Sequence, residues 1–137
     1  MDKWQEPKTD WMVDDIFLYR DYNRIKNNLT CLWQDACAVF GDFEITDMGE
    51  DITSNEVDWD VDYFNAFEEN VDTINKNMLS QDYGFRQTFY ENGIFIGYME
   101  LNRIEEATLD MKRTIEGILA GKVRIPFRCG APKGLYL

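Results

Sequence analysis

The sequence predicts a mainly α-helical protein: three repeated amphipathic helices in a small bundle, with long extended linkers and an extended C-terminal arm. Three observations lead there. Three segments align without gaps around Asn23, Asn65 and Asn102, spaced by 42 and 37 residues, a near-constant period that marks a repeated unit. Each segment continues with apolar residues at alternating steps of three and four, which places one apolar seam along a helix and predicts coiled-coil-like packing. Linkers of about twenty residues separate the helices and could return about 60 Å when extended, twice the length of a twenty-residue helix, so parallel helices are possible.

Taken in order, residues 1–18 carry Trp4, Trp11, Ile16 and Phe17 and read as an extended lead-in that packs its aromatics on the first helix. The first helix, at about 20–40, has the seam Tyr22, Ile25, Leu29, Leu32, Ala36 and Val39, and Gly41 stops it. The second, at about 61–79, has Phe64, Phe67, Val71, Ile74 and Met78. The third, at about 99–120, has Leu101, Ile104, Thr108, Met111, Ile115 and Ile118 before Gly121. Asp21, Asp62 and Glu100 stand where a carboxylate favours the positive end of a helix. In the linkers, Phe43–Thr46 and Phe85–Tyr90 show brief period-two patterns that suit short strands or extended arms, and Asn92-Gly93 is a turn signal. The repeats cover about 9–41, 50–79 and 88–121 of a domain spanning 1–121. Residues 122–137 form the arm, with four cations, no anion, two Pro and two Gly.

Composition narrows the chemistry. The 137 residues include 26 acidic and 14 basic side chains and no His, for a formal charge of -12. Without imidazole there is no Ser-His-Asp or Cys-His nucleophile activation, and the expectation is a protein that is not an enzyme. A sequence pI near 4.3 argues against binding nucleic acid through its phosphates, which needs a dense cationic face. All the excess charge sits in residues 42–82, which hold thirteen acids and one Lys. Cys31, Cys37 and Cys129 are odd in number and widely spaced, as reduced thiols are. The polar start of the chain and the lack of a long apolar run point to folding in the cytoplasm without membrane insertion.

Other motifs weaken on inspection. Asp58-Trp59-Asp60-Val61-Asp62 with Glu69 resembles the opening of a calcium loop, but Tyr63 stands where the sharp turn needs Gly. The nine Gly form no phosphate loop. No pair among the carboxylates is singled out for acid/base work, and no metal or cofactor is expected. The repeated Asn is more informative, since an amide in the first helical turn can bond backbone groups locally, and its recurrence suggests that the three lead-ins dock alike. Arg24 and Arg103 follow it in two repeats, while Ala66 does so in the middle one, which speaks against a shared ion pair.

The segments Asp21-Tyr22-Asn23-Arg24-Ile25-Lys26-Asn27-Asn28-Leu29 and Glu100-Leu101-Asn102-Arg103-Ile104-Glu105 are similar to the D-x-N-R-I-E-x-N helices that recur in minor tail and tail-fibre proteins of phages and prophages of Gram-positive bacteria. Thr9-Asp10-Trp11 resembles the Trp-containing lead-in that often precedes such helices. The resemblance covers about residues 8–118, with the middle repeat departing at Ala66. It implies a structural protein of a virion, viral tail or tail-like bacteriocin, at the baseplate or fibre attachment, assembled in the bacterial cytoplasm and without catalytic residues. The repeat-motif residues Asn23, Arg24, Asn65, Asn102 and Arg103 are then the candidate assembly positions. The arm offers apolar teeth and cations, Val123, Arg124, Ile125, Phe127, Arg128, Leu135, Tyr136 and Leu137, either to other particle proteins and copies of the chain or, as an ordinary C-terminal strand, to its own domain. Two other readings are a saccharide-binding module that uses exposed aromatics, and an acidic regulator that mimics DNA.

Overall fold

A computed structural model describes residues 3–56, 59–84, 88 and 97–121. It contains three helices packed against one another, α1 (Tyr19–Phe40), α2 (Val61–Lys76) and α3 (Tyr98–Leu119), and no strand among the described residues. The three-four alternation selects the core, except that Val39 and Met78 at the ends of the first two seams are only half-buried. Tyr22, Ile25, Leu29, Leu32 and Ala36 of α1, Phe64, Phe67, Val71 and Ile74 of α2, and all six seam residues of α3 are buried. Burying such side chains contributes roughly 1.5–3 kcal/mol each before entropy is counted.

Each helix starts with a different device. At α1 the Asp21 carboxylate accepts the Leu18 backbone N–H at 2.9 Å, which satisfies one of the donors that a helix start leaves free. At α2 the side chain of Asp60 accepts the Asp62 N–H at 2.8 Å, so part of the acidic run that looked like a calcium loop is a helix cap. Gly97 precedes α3. Gly41, with φ +112°, ends α1, and Gly121, with φ +76°, follows the last turn of α3. α2 stops at Lys76, three residues before its expected end, and residues 77–79 form turns.

The helices run parallel. Arg24 near the start of α1 bonds Glu105 near the start of α3, and Asp35 farther along α1 pairs with Lys112 farther along α3 at 3.6 Å. Arg103 near the start of α3 pairs with Glu68 of α2, and Tyr22 of α1 stacks on Phe67 of α2 with centroids 5.3 Å apart. Order along one helix is therefore order along its neighbours. Each connection has to retrace the bundle.

Of the two forms open to Phe43–Thr46, short strand or extended arm, the structure takes the extended arm, because Thr46 bonds a side chain of α2 and not another backbone. One expectation needs correcting. The first lead-in does not pack mainly on α1. Trp11 is anchored to α3, Phe17 packs edge-on against Trp59 and Phe64, and Ile16 points to solvent. A lead-in that serves α1 must come down the groove on its α3 side before it can turn into α1. Most of Phe85–Tyr90, the Asn92-Gly93 turn, Cys129 and the arm 122–137 lie outside the described residues.

Candidate functional site

The repeat motif builds the ties between helices. Asn102 of α3 accepts the backbone N–H of Trp11 at 2.7 Å and donates to the carbonyl of the same residue at 3.0 Å. Asn23 of α1 does the same to Ile52, at 2.9 and 2.8 Å. The amide thus behaves like one rung of a sheet, pairing both polar groups of a single extended residue. These are not local caps. Asn102 holds a residue 91 positions away, and in the two lead-ins described at this position the anchor Asn belongs to another helix than the one being led into: Asn23 of α1 holds the lead-in of α2, and Asn102 of α3 holds that of α1.

A second Asn, five residues after the first, repeats the device. Asn28 pairs both backbone groups of Gln5 at 2.8 Å, and Asn70 pairs those of Thr46 at 2.8 and 2.9 Å. Residues 5–11 are therefore pinned to α1 and then to α3, and residues 46–52 to α2 and then to α1. In α3 the matching position is Ala107, and Asn65 holds the first-Asn position of α2. Asn75 clamps Gln81 in the same way just after α2.

Beside these clamps lies a buried ionic lock. Glu105 is fully buried, and its carboxylate accepts four hydrogen bonds: from the Lys8 backbone at 3.0 Å, the Trp11 indole at 2.7 Å, and Arg24 Nε and Nη2 at 2.8 and 2.6 Å. Arg24 also donates to Asp21 at 2.8 Å. Burial works against the Arg24 charge, but the bonds to Glu105 and Asp21 prevail and raise its pKa. One carboxylate joins the lead-in, α1 and α3.

The next interface repeats the arrangement. Arg103 of α3 pairs with buried Glu68 of α2, and with Glu100 at 2.8 Å. Gly84, with φ +88°, lies over the aliphatic stem of Arg103, where an added Cβ would come within 2.9 Å of Cδ. Beside it, the hydroxyl of Tyr83 donates to Asp110 of α3 at 2.6 Å. Burial, and then that bond, raise the Tyr83 pKa.

The α2–α1 interface breaks the pattern at every position of the lock. Where the other repeats have acid, Arg and a partner Glu, it has Tyr63, Ala66 and, on α1, Lys26. Tyr63, Tyr22, Phe67 and Trp59 pack there instead, with ring centroids 5.3–5.4 Å apart. Lys26 turns to Asp51 of the returning segment at 2.6 Å, and that bond first of all holds the Asp51 carboxyl below its ordinary pKa. Tyr22 donates to the Met48 carbonyl at 2.7 Å, and burial pushes its pKa up to about 12. The absence of a pair common to all three repeats, expected from Ala66, is thus combined with ionic locks at two interfaces.

Among the described residues a groove of about 590 Å³ runs between α1 and residues 45–51, lined in part by Lys3, Lys26, Thr30, Cys31 and Asp51. Neither Cys31, which is buried, nor Cys37, which is half-buried, is in a disulfide among the described residues. No group of three metal-ligating side chains gathers among the described residues, and no helix is long and apolar enough to cross a membrane. Exposed apolar side chains concentrate at the start of the bundle, where Met12, Val13, Ile16 and Met99 are each at least 67% exposed.

Of the candidate assembly residues, the structure joins Asn23, Arg24, Asn102 and Arg103 to partners on other segments. It also adds Glu68, Glu105, Asn28 and Asn70, which sequence reasoning did not single out. Their signal was present in the recurrence of an acid three residues, and an Asn five residues, after the anchor Asn in two repeats each. The arm residues from Val123 to Leu137 lie outside the described residues. No protein-family model, curated protein or solved structure matches the chain.

Glu105→Ala leaves Arg24 buried without its main partner and should cost about 3–5 kcal/mol in urea unfolding, whereas Arg24→Leu/Glu105→Leu should recover much of that loss. Equal destabilisation in both variants would contradict the lock. Asn102→Asp keeps the shape and the acceptor but removes the donor to Trp11, and should cost about 1–3 kcal/mol. Unchanged stability would show that the clamp is not formed.

Proposed function

We propose that this chain is a non-enzymatic structural protein of a phage tail or tail-like particle, placed at the baseplate or fibre attachment, where it links neighbouring subunits. The observation that carries the reading is the use of the motif itself. The residues on which the family resemblance rests, Asn23, Arg24, Asn102, Arg103 and Glu105, are the ones that clamp return segments and lock helices together. A motif whose work is architectural suits a family whose work is architecture. The charge division supports the same reading, since the four cations of 122–137 and the acids of 42–82 can attract each other between adjacent copies.

Saccharide recognition draws less support. It needs aromatic faces open to solvent, yet Trp11 is buried and Trp4, Trp33 and Trp59 pack against the core. Mimicry of DNA accounts for the acidic 42–82 stretch but not for the repeated Asn clamps.

Quantitative mass spectrometry of gradient-purified particles from a producing strain tests the proposal. The chain should be present at a fixed ratio to the tail proteins. Its absence from intact particles, or specific binding on a glycan array, would overturn it.

A further inference from the structure

We infer that the turn at residues 12–16 is the docking face for the C-terminal arm of a second copy, so that copies associate head to tail. The inference rests on the assembly reading above and gives it a partner and a surface.

The turn is built to hold its shape. Trp11 is clamped to Asn102, the Asp15 carboxylate accepts the Met12 N–H at 2.9 Å, the Asp15 N–H donates to the Met12 carbonyl at 3.0 Å, and Lys8 reaches Asp15 at 3.5 Å. On this fixed frame Met12, Val13 and Ile16 are 67%, 77% and 74% exposed. Apolar side chains on a rigid turn, with no role in their own core, mark a surface that another chain covers. Around them stand Asp10, Asp14 and Asp15; Lys8 pairs with Asp10 at 3.1 Å and with Asp15 at 3.5 Å, so three acids face one base and the turn stays net acidic. The occupant should therefore be apolar and cationic.

Residues 122–137 have that chemistry: Val123, Ile125 and Phe127 alternate with Arg124 and precede Arg128, and the segment has no acid. Parallel helices decide how it can arrive. The arm follows Gly121 at the end of the bundle opposite residues 12–16. Within its own copy, the groove between α3 and α1 is filled by the lead-in, with Trp4 beside Lys112, Gln5 on Asn28 and Trp11 on Asn102. Tyr83 bonds Asp110 elsewhere along α3. Sixteen residues can extend about 50 Å from the end of the bundle, ample to reach the starting end of the next copy. Such a contact joins unlike surfaces, so it propagates or closes into a ring.

Sedimentation of the full-length chain tests this. Wild type should gain mass with concentration. Val13→Asp/Ile16→Asp and Arg124→Glu/Arg128→Glu should each associate at least about tenfold more weakly with unchanged circular dichroism, since the first pair is solvent-exposed and the second follows the last helix in sequence. Mixed, the two variants should form a 1:1 pair, because one keeps the arm and the other keeps the face. Wild type that stays monomeric, variants that still associate, or a mixture that does not pair would overturn the inference. A monomeric chain that is nonetheless found at fixed ratio in particles would overturn it while leaving the assembly reading intact.

Discussion

The constraint on which the structure depends is that three helices of one chain point the same way. An up-and-down bundle closes with short loops, but here each connection must retrace a helix, about 33 Å for a helix of 22 residues. A returning segment runs antiparallel to its helices, and helices offer it no free backbone partners. Its own N–H and C=O groups would be costly to bury unpaired. The Asn amides meet that need, because one side chain supplies both a donor and an acceptor with the geometry of a peptide group. Placed five residues apart on successive helices, they fix the returning chain at Gln5 and Trp11, and at Thr46 and Ile52.

Glu105 shows how the same segments are held sideways. A carboxylate with four donors, two of them from Arg24 and two from the lead-in, is satisfied despite full burial. Arg103 and Glu68 echo it one interface on. At the third interface Tyr63, Ala66 and Lys26 replace all three partners, and rings take the place of ions. Losing one member of a buried pair would leave a costly charge, so the substitutions make physical sense as a set. Lys26 keeps its charge by reaching the partly exposed Asp51. The bundle is thus threefold in backbone plan and twofold in its ionic locks.

The apolar seams, the helix limits to within a few residues and the feasibility of parallel helices were legible in the chain, because periodicity and linker length are local properties. The destination of each Asn was not. Trp11 and Asn102 lie 91 residues apart, and only the packed bundle shows that a lead-in serves one helix while it docks on another. Ala66 looked like a break in the motif, since nothing in its neighbourhood reveals that Lys26 and Tyr63 changed with it. Glu105 was visible as the last residue of the repeat motif, but its partners Lys8, Trp11 and Arg24 lie 81–97 residues away and appear only when α1 and the lead-in close over it.

Helix direction is the claim that everything else requires, and spin-label distances from noncanonical residues at Arg20, Asp62 and Lys76, all exposed, test it directly. In the parallel bundle the 20–62 pair spans neighbouring helix starts, whose axes lie about 8–10 Å apart. The 20–76 pair adds the length of α2, about 24 Å for its 16 residues. The 20–62 distance should be clearly the shorter. If 20–76 proves shorter, α2 runs the other way and the clamps described here do not exist.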